Sequence, residues 1–490
     1  MEQIINLINE WLWSMPMIYL CLGAGLFFSV MSRFLQIRHI KEMIRLLFKG
    51  EKSEAGVSSF QALALSLSGR VGTGNIAGTA TAIAFGGPGA IFWMWLIAFI
   101  GAGTAFAEST LAQIYKVKQD GQYRGGPAYY IEKGIGWKWY GVLFAISAIV
   151  AMAILMPGVQ SNAIASSLNM AFGLDSTITG IILIVLLGLI IFGGVKRIAN
   201  VAQFVVPFMA IAYIALSLII IIVNFSKLPA VFVLIFKSAF AFDPIFGSII
   251  GLAIQWGVKR GIYSNEAGQG TGPHAAAAAE VSHPAKQGLV QAFSIYIDTL
   301  LVCSATALMI LFTGMYNVEA PGQGNVAAEQ KQFLVQNIGK TVEAGSGYTQ
   351  MAIDSVIPGV GSGIVAVALF FFAFTTIMAY YYISETNIAY LTRGKNSKWP
   401  MLVLKFVILA ATFYGCVKTA KVAWTLGDIG LGLMVWLNLI AILILFKPAM
   451  KSLKDYEQQK KQGLDPVFDP EKLGIKNTEC WGKESKKKIV

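Results

Sequence analysis

Apolar runs long enough to cross a bilayer recur along the chain from Met17 to Phe446, separated by short polar segments and with no long soluble block between them. A spanning helix needs about 20 apolar residues. The pattern predicts eleven such segments: 15–34, 57–85, 88–115, 140–170, 177–194, 199–223, 245–271, 287–314, 355–388, 400–418 and 427–447. The predicted fold is therefore an all-α membrane protein, with one transmembrane domain over residues 1–450 and a charged tail over 451–490. Two of the predicted crossings break the pattern. The first, 57–85, contains SLSGRVGTGNIAGTAT, which puts Gly69, Gly72, Gly74, Gly78 and Asn75 at mid-span. The second, 245–271, runs into GVKRGIYSNEAGQGTG, with Gly257, Gly261, Gly268, Gly270 and Gly272. Glycine weakens a helix interior by about 1 kcal/mol relative to alanine, and at bilayer depth every freed backbone group must find a partner. Small residues that let helices pack closely are one reading. The other is a pair of broken helices whose ends meet a ligand near the midplane.

Setting aside 15–34 as an extra helix, the remaining ten segments divide into five and five, 57–223 and 245–447, and each half opens on an interrupted segment. An odd number of crossings separates equivalent members, so the halves would enter the membrane from opposite faces, although no residue-by-residue repeat is visible. Charge orients the chain. Arg33, Arg38, Lys41, Arg45, Lys49 and Lys52 follow the first segment; Lys116, Lys118, Arg124, Lys133 and Lys138 the third; Lys196 and Arg197 the fifth; Arg393, Lys395 and Lys398 the ninth; and Lys286 precedes the eighth. All fall on one side of an eleven-span chain, which the positive-inside rule makes cytoplasmic. The N-terminus is then outside and the tail cytoplasmic. Between segments, 116–139 and 230–240 read as short interfacial helices.

Composition agrees: of 490 residues, 56% are hydrophobic and 13% charged, with a mean hydropathy of +0.63. The net charge of +12 lies in short loops and the tail, not in a basic face interleaved with aromatics, so it points to orientation and anionic lipid and not to nucleic acid. Cys21, Cys303, Cys416 and Cys480 show no CxxC spacing, and His39, His274 and His283 lie in basic or loop contexts where solvation is expected. No cleavable signal stands out at the N-terminus. The tail beyond Lys451, highly charged and carrying Pro466 and Pro470, is expected to be poorly ordered.

A break at Gly72-Thr73-Gly74-Asn75 would turn the N–H groups of the following half-helix toward an anion and the carbonyls near Gly69 to Gly72 toward a cation. Asn75 would cap the second half-helix or meet a ligand, and Thr73 adds a hydroxyl. Gln160, an amide in an otherwise apolar run, faces protein or cavity rather than lipid. Gln255 and Trp256 precede the second set of glycines, where an amide and a flat wall would enclose a small ligand. Thr375 and Thr376, adjacent hydroxyls in FFFAFTTIMAYYY, would complete an oxygen cage for sodium or else bond their own helix. Arg70 and Glu266 are read as a gate pair, while Glu108, Asp298 and Glu385 are further charges within spans. No nucleophile–base set, metal spacing or nucleotide loop is present, so neither a catalytic residue nor a cofactor is assigned.

SLSGRVGTGNIAGTATAIAFGGPGAIFWMW, PGVQSN, GVKRGIYSNEAGQGTGPHAAAAA and FAFTT together closely resemble the alanine/glycine:cation symporter family, over about residues 10 to 450. The resemblance implies a LeuT-like inverted repeat and sodium-driven uptake of small neutral amino acids, alanine or glycine. It also implies that Gly72, Thr73, Gly74, Asn75, Gln160, Trp256, Gly257 and Thr376 meet the amino acid. Sodium, as coupling ion, would lie among the carbonyls of Gly69 and Gly72 and the hydroxyls of Thr375 and Thr376. Proton coupling is the alternative and would need an intramembrane carboxylate at the cation site. A channel would need a continuous polar lining.

Overall fold

The computed structural model describes residues 2–48, 57–323, 326, 328–393 and 397–481. Lys49, Lys52, Lys395 and tail residues 482–490 lie outside these. Among the described residues nine helices are long and apolar enough to cross a membrane, including Ala90–Ile114, Lys138–Phe172, Pro284–Thr313 and Gly361–Thr392. Phe225–Gly247 meets the same criterion, although its 230–240 stretch reads as interfacial from the sequence. The predicted segments 57–85, 177–194 and 245–271 fall outside the nine because their helices are short: the first and third are broken in two, and the second is Ser176–Ile191. An amphipathic helix, Glu2–Leu12, precedes Met15–Met31. Two small antiparallel hairpins interrupt the helical architecture, Val117–Gln119 with Gln122–Arg124 and Asn317–Glu319 with Phe333–Gln336. The first begins a segment that the sequence presents as purely helical.

The first interrupted crossing starts at a capping box, in which Ser58 and Gln61 exchange side-chain and backbone hydrogen bonds at 3.0 and 3.1 Å. Its first half, Ser59–Arg70, ends where Val71 leaves helical geometry at φ −78, ψ 87. A π-helical turn, Gly74–Gly78, then leads into Thr79–Gly86. The second crossing breaks later than its glycines suggest. Ile250–Asn265 is one unbroken helix through Gly257 and Gly261, and the chain departs at Glu266, φ +56, before Gly272–Ala278. A Cβ on Gly257 would lie 2.5 Å from the Ala90 carbonyl oxygen and 2.6 Å from Trp93 Cβ, so this glycine serves helix packing. The turn itself uses Gly268 and Gly270, both at positive φ, where only glycine escapes the Cβ clash. Lys259 and Arg260 consequently precede the break, within Ile250–Asn265.

Val57 donates to the Ala278 carbonyl (3.1 Å) and accepts from the Glu280 amide (3.3 Å). One precedes its broken helix and the others follow theirs, so the two interrupted crossings run in opposite senses.

The same face carries the basic loops and the tail. Helix Phe446–Lys461 and residues 462–481 lie across it. Glu457 pairs with Arg38 and His39, both at 2.8 Å, Asp465 with Lys286 at 3.0 Å, and Glu479 with Lys133. The Trp481 indole donates to the Gln113 carbonyl at 2.9 Å. Residues 451–481 are thus docked, contrary to the expectation of poor order. The few apolar groups in that charged stretch, Leu453, Tyr456 and Phe468, are buried, which average composition conceals. His274 and His283 are likewise buried and not solvated. His274 donates from Nδ1 to the Thr271 carbonyl (3.1 Å) and accepts at Nε2 from Asn387 (2.9 Å). His283 accepts the Ala285 amide at Nδ1 (3.1 Å), capping helix Pro284–Ile295, and donates from Nε2 to Asp455 (3.3 Å).

Candidate functional site at the two helix breaks

Four segments converge on the first break. The Gly72 amide donates to Asn75 Oδ1 at 2.8 Å and the Thr73 amide to Gln160 Oε1 at 3.0 Å. Two of the backbone donors that a broken helix leaves over are thereby capped by neutral amide oxygens. Gln160 sits in the first turn of Pro157–Phe172, and its Nε2 donates to the hydroxyls of Tyr263 (3.4 Å) and Tyr380 (3.2 Å). One side chain therefore joins the first break to the last turn before the second and to the long helix Gly361–Thr392. The Thr73 hydroxyl is buried and has no hydrogen-bond partner among the described residues. Gly74 permits the two interrupted crossings to touch: a Cβ there would stand 3.0 Å from the Tyr263 ring and 3.1 Å from Ser264 Cα.

Thr376 donates to the Ser68 carbonyl (2.9 Å), at the end of the first half-helix, and lies 3.0 Å from its own helix's Phe372 carbonyl. Thr375 turns elsewhere, bonding the carbonyls of Phe371 and Phe372 at 3.0 Å and facing Met209. Neighbouring residues on a helix point about 100° apart, so the two hydroxyls do not share one cage in this conformation. A Cβ on Gly72 would be 3.2 Å from Gln160 Oε1 and would meet Thr376 Oγ1, while one on Gly69 would be 3.2 Å from Glu266 Oε2. Gly69, Gly72, Thr73, Gly74, Asn75, Gln160 and Thr376 are thus one buried cluster.

Gln255, Trp256 and Gly257 stand apart from it. The Gln255 amide donates to the Trp13 carbonyl (3.1 Å), Trp256 packs on Phe85 with ring centroids 4.6 Å apart, and Gly257 faces the helix Ala90–Ile114. Nor are Arg70 and Glu266 paired. The Arg70 guanidinium bonds Gln291 Oε1 (3.0 Å) and Ser294, and Glu266 accepts from Thr271 (2.7 Å). The ion pair that the structure does form near the breaks is Asp428 with Arg260 (2.7 Å) and Lys259 (2.6 Å), with the Arg260 guanidinium 4.3 Å from the Trp424 ring centroid.

Sequence reading named Asp298 only as a charge within a span and overlooked Ser264, Tyr263 and Tyr380. Asp298 Oδ1 accepts from Asn75 Nδ2 (2.6 Å), and its Oδ2 accepts from Ser264 (2.8 Å) and Thr299 (2.6 Å). A carboxylate inside a span was the available signal. The tyrosines gave none, because aromatics in an apolar run look like core until neighbouring helices are placed.

The sequence profile of the sodium:alanine symporter family matches residues 1–470. A Bacillus subtilis protein named as a putative sodium/proton-dependent alanine carrier is 71% identical, covering 99% of this chain and 98% of its own. The sodium/proton-dependent alanine carrier of Bacillus sp. (strain PS3) is 58% identical over 90% of this chain and 97% of its own. Among solved structures, a mutant form of the Eremococcus coleocola manganese transporter superposes with a TM-score of 0.50 at 14% identity, covering 83% of this chain and 81% of that one, a likeness of fold alone. On both the profile match and the identities, this chain belongs to the sodium:alanine symporter family.

Proposed function

We propose that the chain couples inward sodium flow to uptake of small neutral amino acids, alanine and glycine, by alternating access of a site between the two broken helices. The observation that carries this is the capping of the Gly72 and Thr73 amides by the side-chain oxygens of Asn75 and Gln160. Amide oxygens stand where the oxygens of an amino acid's carboxylate would be received, at the positive end of a half-helix. The ligand would displace one or both of them and meet the free Thr73 hydroxyl. Tyr263 and Tyr380 form the aromatic side of the cluster and would limit side-chain size. Sodium, a hard cation suited to oxygen donors, would sit where Thr376 meets the carbonyls at Ser68 to Gly72, with Thr375 as a further ligand after a rotamer change. The opposite running of the two crossings supports a LeuT-like five-plus-five inverted repeat over 57–223 and 245–447, with the first helix outside it. The clustering of basic loops and tail on one face supports a cytoplasmic location for that face and an outside N-terminus.

The test is uptake of labelled alanine and glycine into proteoliposomes. An inward sodium gradient at constant pH should drive accumulation above the outside concentration. Equal uptake with potassium in place of sodium on both sides would defeat sodium coupling. Equilibration without accumulation under any gradient would show a channel. The names of the two carriers also carry proton dependence, for which Thr376 and a carbonyl supply no titratable group.

A further inference from the structure

We infer that Asp298 is the residue through which protons drive transport, separate from the sodium site at Thr376, an inference that rests on reading the two breaks as the transport site. Its side chain is fully buried in a π-helical stretch, Tyr296–Cys303, inside the apolar helix Pro284–Thr313. π-Helical turns inside α-helices recur at functional sites because they swing a side chain out of register. Here the swing delivers one carboxylate to both breaks. Asn75 belongs to the first, and Ser264 to the last turn before the second.

All three side-chain donors to Asp298 are neutral, and among the described residues it makes no ion pair. The titratable groups facing it from the surrounding elements are few. Arg70, on the first crossing, bonds Gln291 and Ser294 through Nη1, and its buried Nε and Nη2 have no hydrogen-bond partner among the described residues. Glu266, on the second, is bonded to Thr271. Glu108, from Ala90–Ile114, accepts from Asn438 (2.8 Å) and the Gly268 amide (3.3 Å). Cys303 lies on its own helix, 3.1 Å from the Ser264 hydroxyl. A carboxylate without an ion pair is costly at this depth when charged, and taking up a proton relieves that cost.

The hydrogen bonds show what the proton would change. Ionised, Asp298 accepts three bonds and holds the Asn75 amide so that its other atom, Oδ1, caps the Gly72 amide. A proton on Oδ2 makes that oxygen a donor. One of the two hydroxyls, Ser264 or Thr299, can reverse and accept while the other goes on donating to the remaining lone pair, whereas the Asn75 NH2 group can only donate and is left facing a weaker, neutral acceptor. Protonation therefore loosens Asn75 at the first break while keeping Ser264 at the second. The occupancy of one oxygen sets how firmly Asn75 is held at the first break.

Asp298→Asn in proteoliposomes tests this, with alanine uptake driven by an inward pH gradient without sodium and, separately, by a sodium gradient at fixed pH. In the parent both should drive uptake. In the variant, the ratio of pH-driven to sodium-driven uptake should fall at least about tenfold. Asp298→Glu, which keeps the carboxyl group, should restore pH-driven uptake in part. A parent that ignores the pH gradient overturns the proposal and leaves sodium symport standing. Parent uptake driven by neither gradient fails the transport reading itself. Persistence of pH-driven uptake in Asp298→Asn overturns the assignment, and so does loss of sodium-driven uptake alone, which would make Asp298 a sodium ligand. If Asp298→Asn loses both modes, pH-driven uptake by Asp298→Glu upholds the proposal and its absence overturns it.

Discussion

At the scale of single residues, the adjacent threonines separate by geometry. Thr376 reaches across to the Ser68 carbonyl, whereas Thr375 is satisfied within its own helix. Thr376→Val, which keeps shape and removes the hydroxyl, should raise the sodium concentration for half-maximal alanine uptake by about tenfold, the worth of one hydrogen bond or ligand of about 1–1.5 kcal/mol. Thr375→Ala should change it less, because its hydroxyl enters the cage only after turning. Equal effects of the two substitutions on the sodium titration would refute the separation. The sequence showed two hydroxyls side by side and nothing about which faces the break, since that depends on how Gly361–Thr392 is rotated against Ser59–Arg70. Gln160 is the opposite case. An amide alone in an apolar run had to face something polar, and it faces the first break.

At the scale of elements, both interruptions were legible, but only the first was legible in position. Gly257 and Gly261 looked like helix breakers and are packing glycines, whereas Gly268 and Gly270 make the turn. The turn role separates from an ordinary helical position by substitution. Gly270→Ala puts a Cβ on a residue at φ +85 and 2.6 Å from Pro127 Cγ, so it should destabilise by about 1–2 kcal/mol or more. Gly251→Ala lies in the same helix as Gly257 with nothing within 4 Å, and should be neutral or stabilise by up to about 1 kcal/mol. Thermal unfolding in detergent reads both. A lower melting temperature for Gly251→Ala than for Gly270→Ala would contradict the placement of the break.

At the scale of the whole molecule, the docked tail ties together loops far apart in sequence, and its hinge is His283 against Asp455. Burial, the largest influence, holds the His283 imidazole below its ordinary value of 6.5 despite the neighbouring carboxylate. The undocked histidine thus binds a proton more readily than the docked one. Docking is then fully supported above about pH 6.5 and weakens as pH falls below it. Burial works the other way on Asp455, but its hydrogen bond from His283 and other donors leave it below 3.8, so it loses its charge only in stronger acid. The hydrogen-exchange protection factors of residues 452–475, which remove the intrinsic pH dependence of amide exchange, should fall between about pH 7 and 5 in the parent. In His283→Ala, which also loses a helix cap, protection should be low at both. Protection independent of pH in the parent would remove His283 from this role. What the chain determined by itself was the membrane class, the apolar segments, the two breaks and the family, because hydropathy and backbone chemistry act within about 20 neighbouring residues. Only the tertiary structure decided that Asp298 serves both breaks, that Gln255 to Gly257 lie elsewhere, and that a charged tail docks. Each of those depends on which faces of helices distant in sequence are turned toward one another, and a one-dimensional pattern does not carry that rotation.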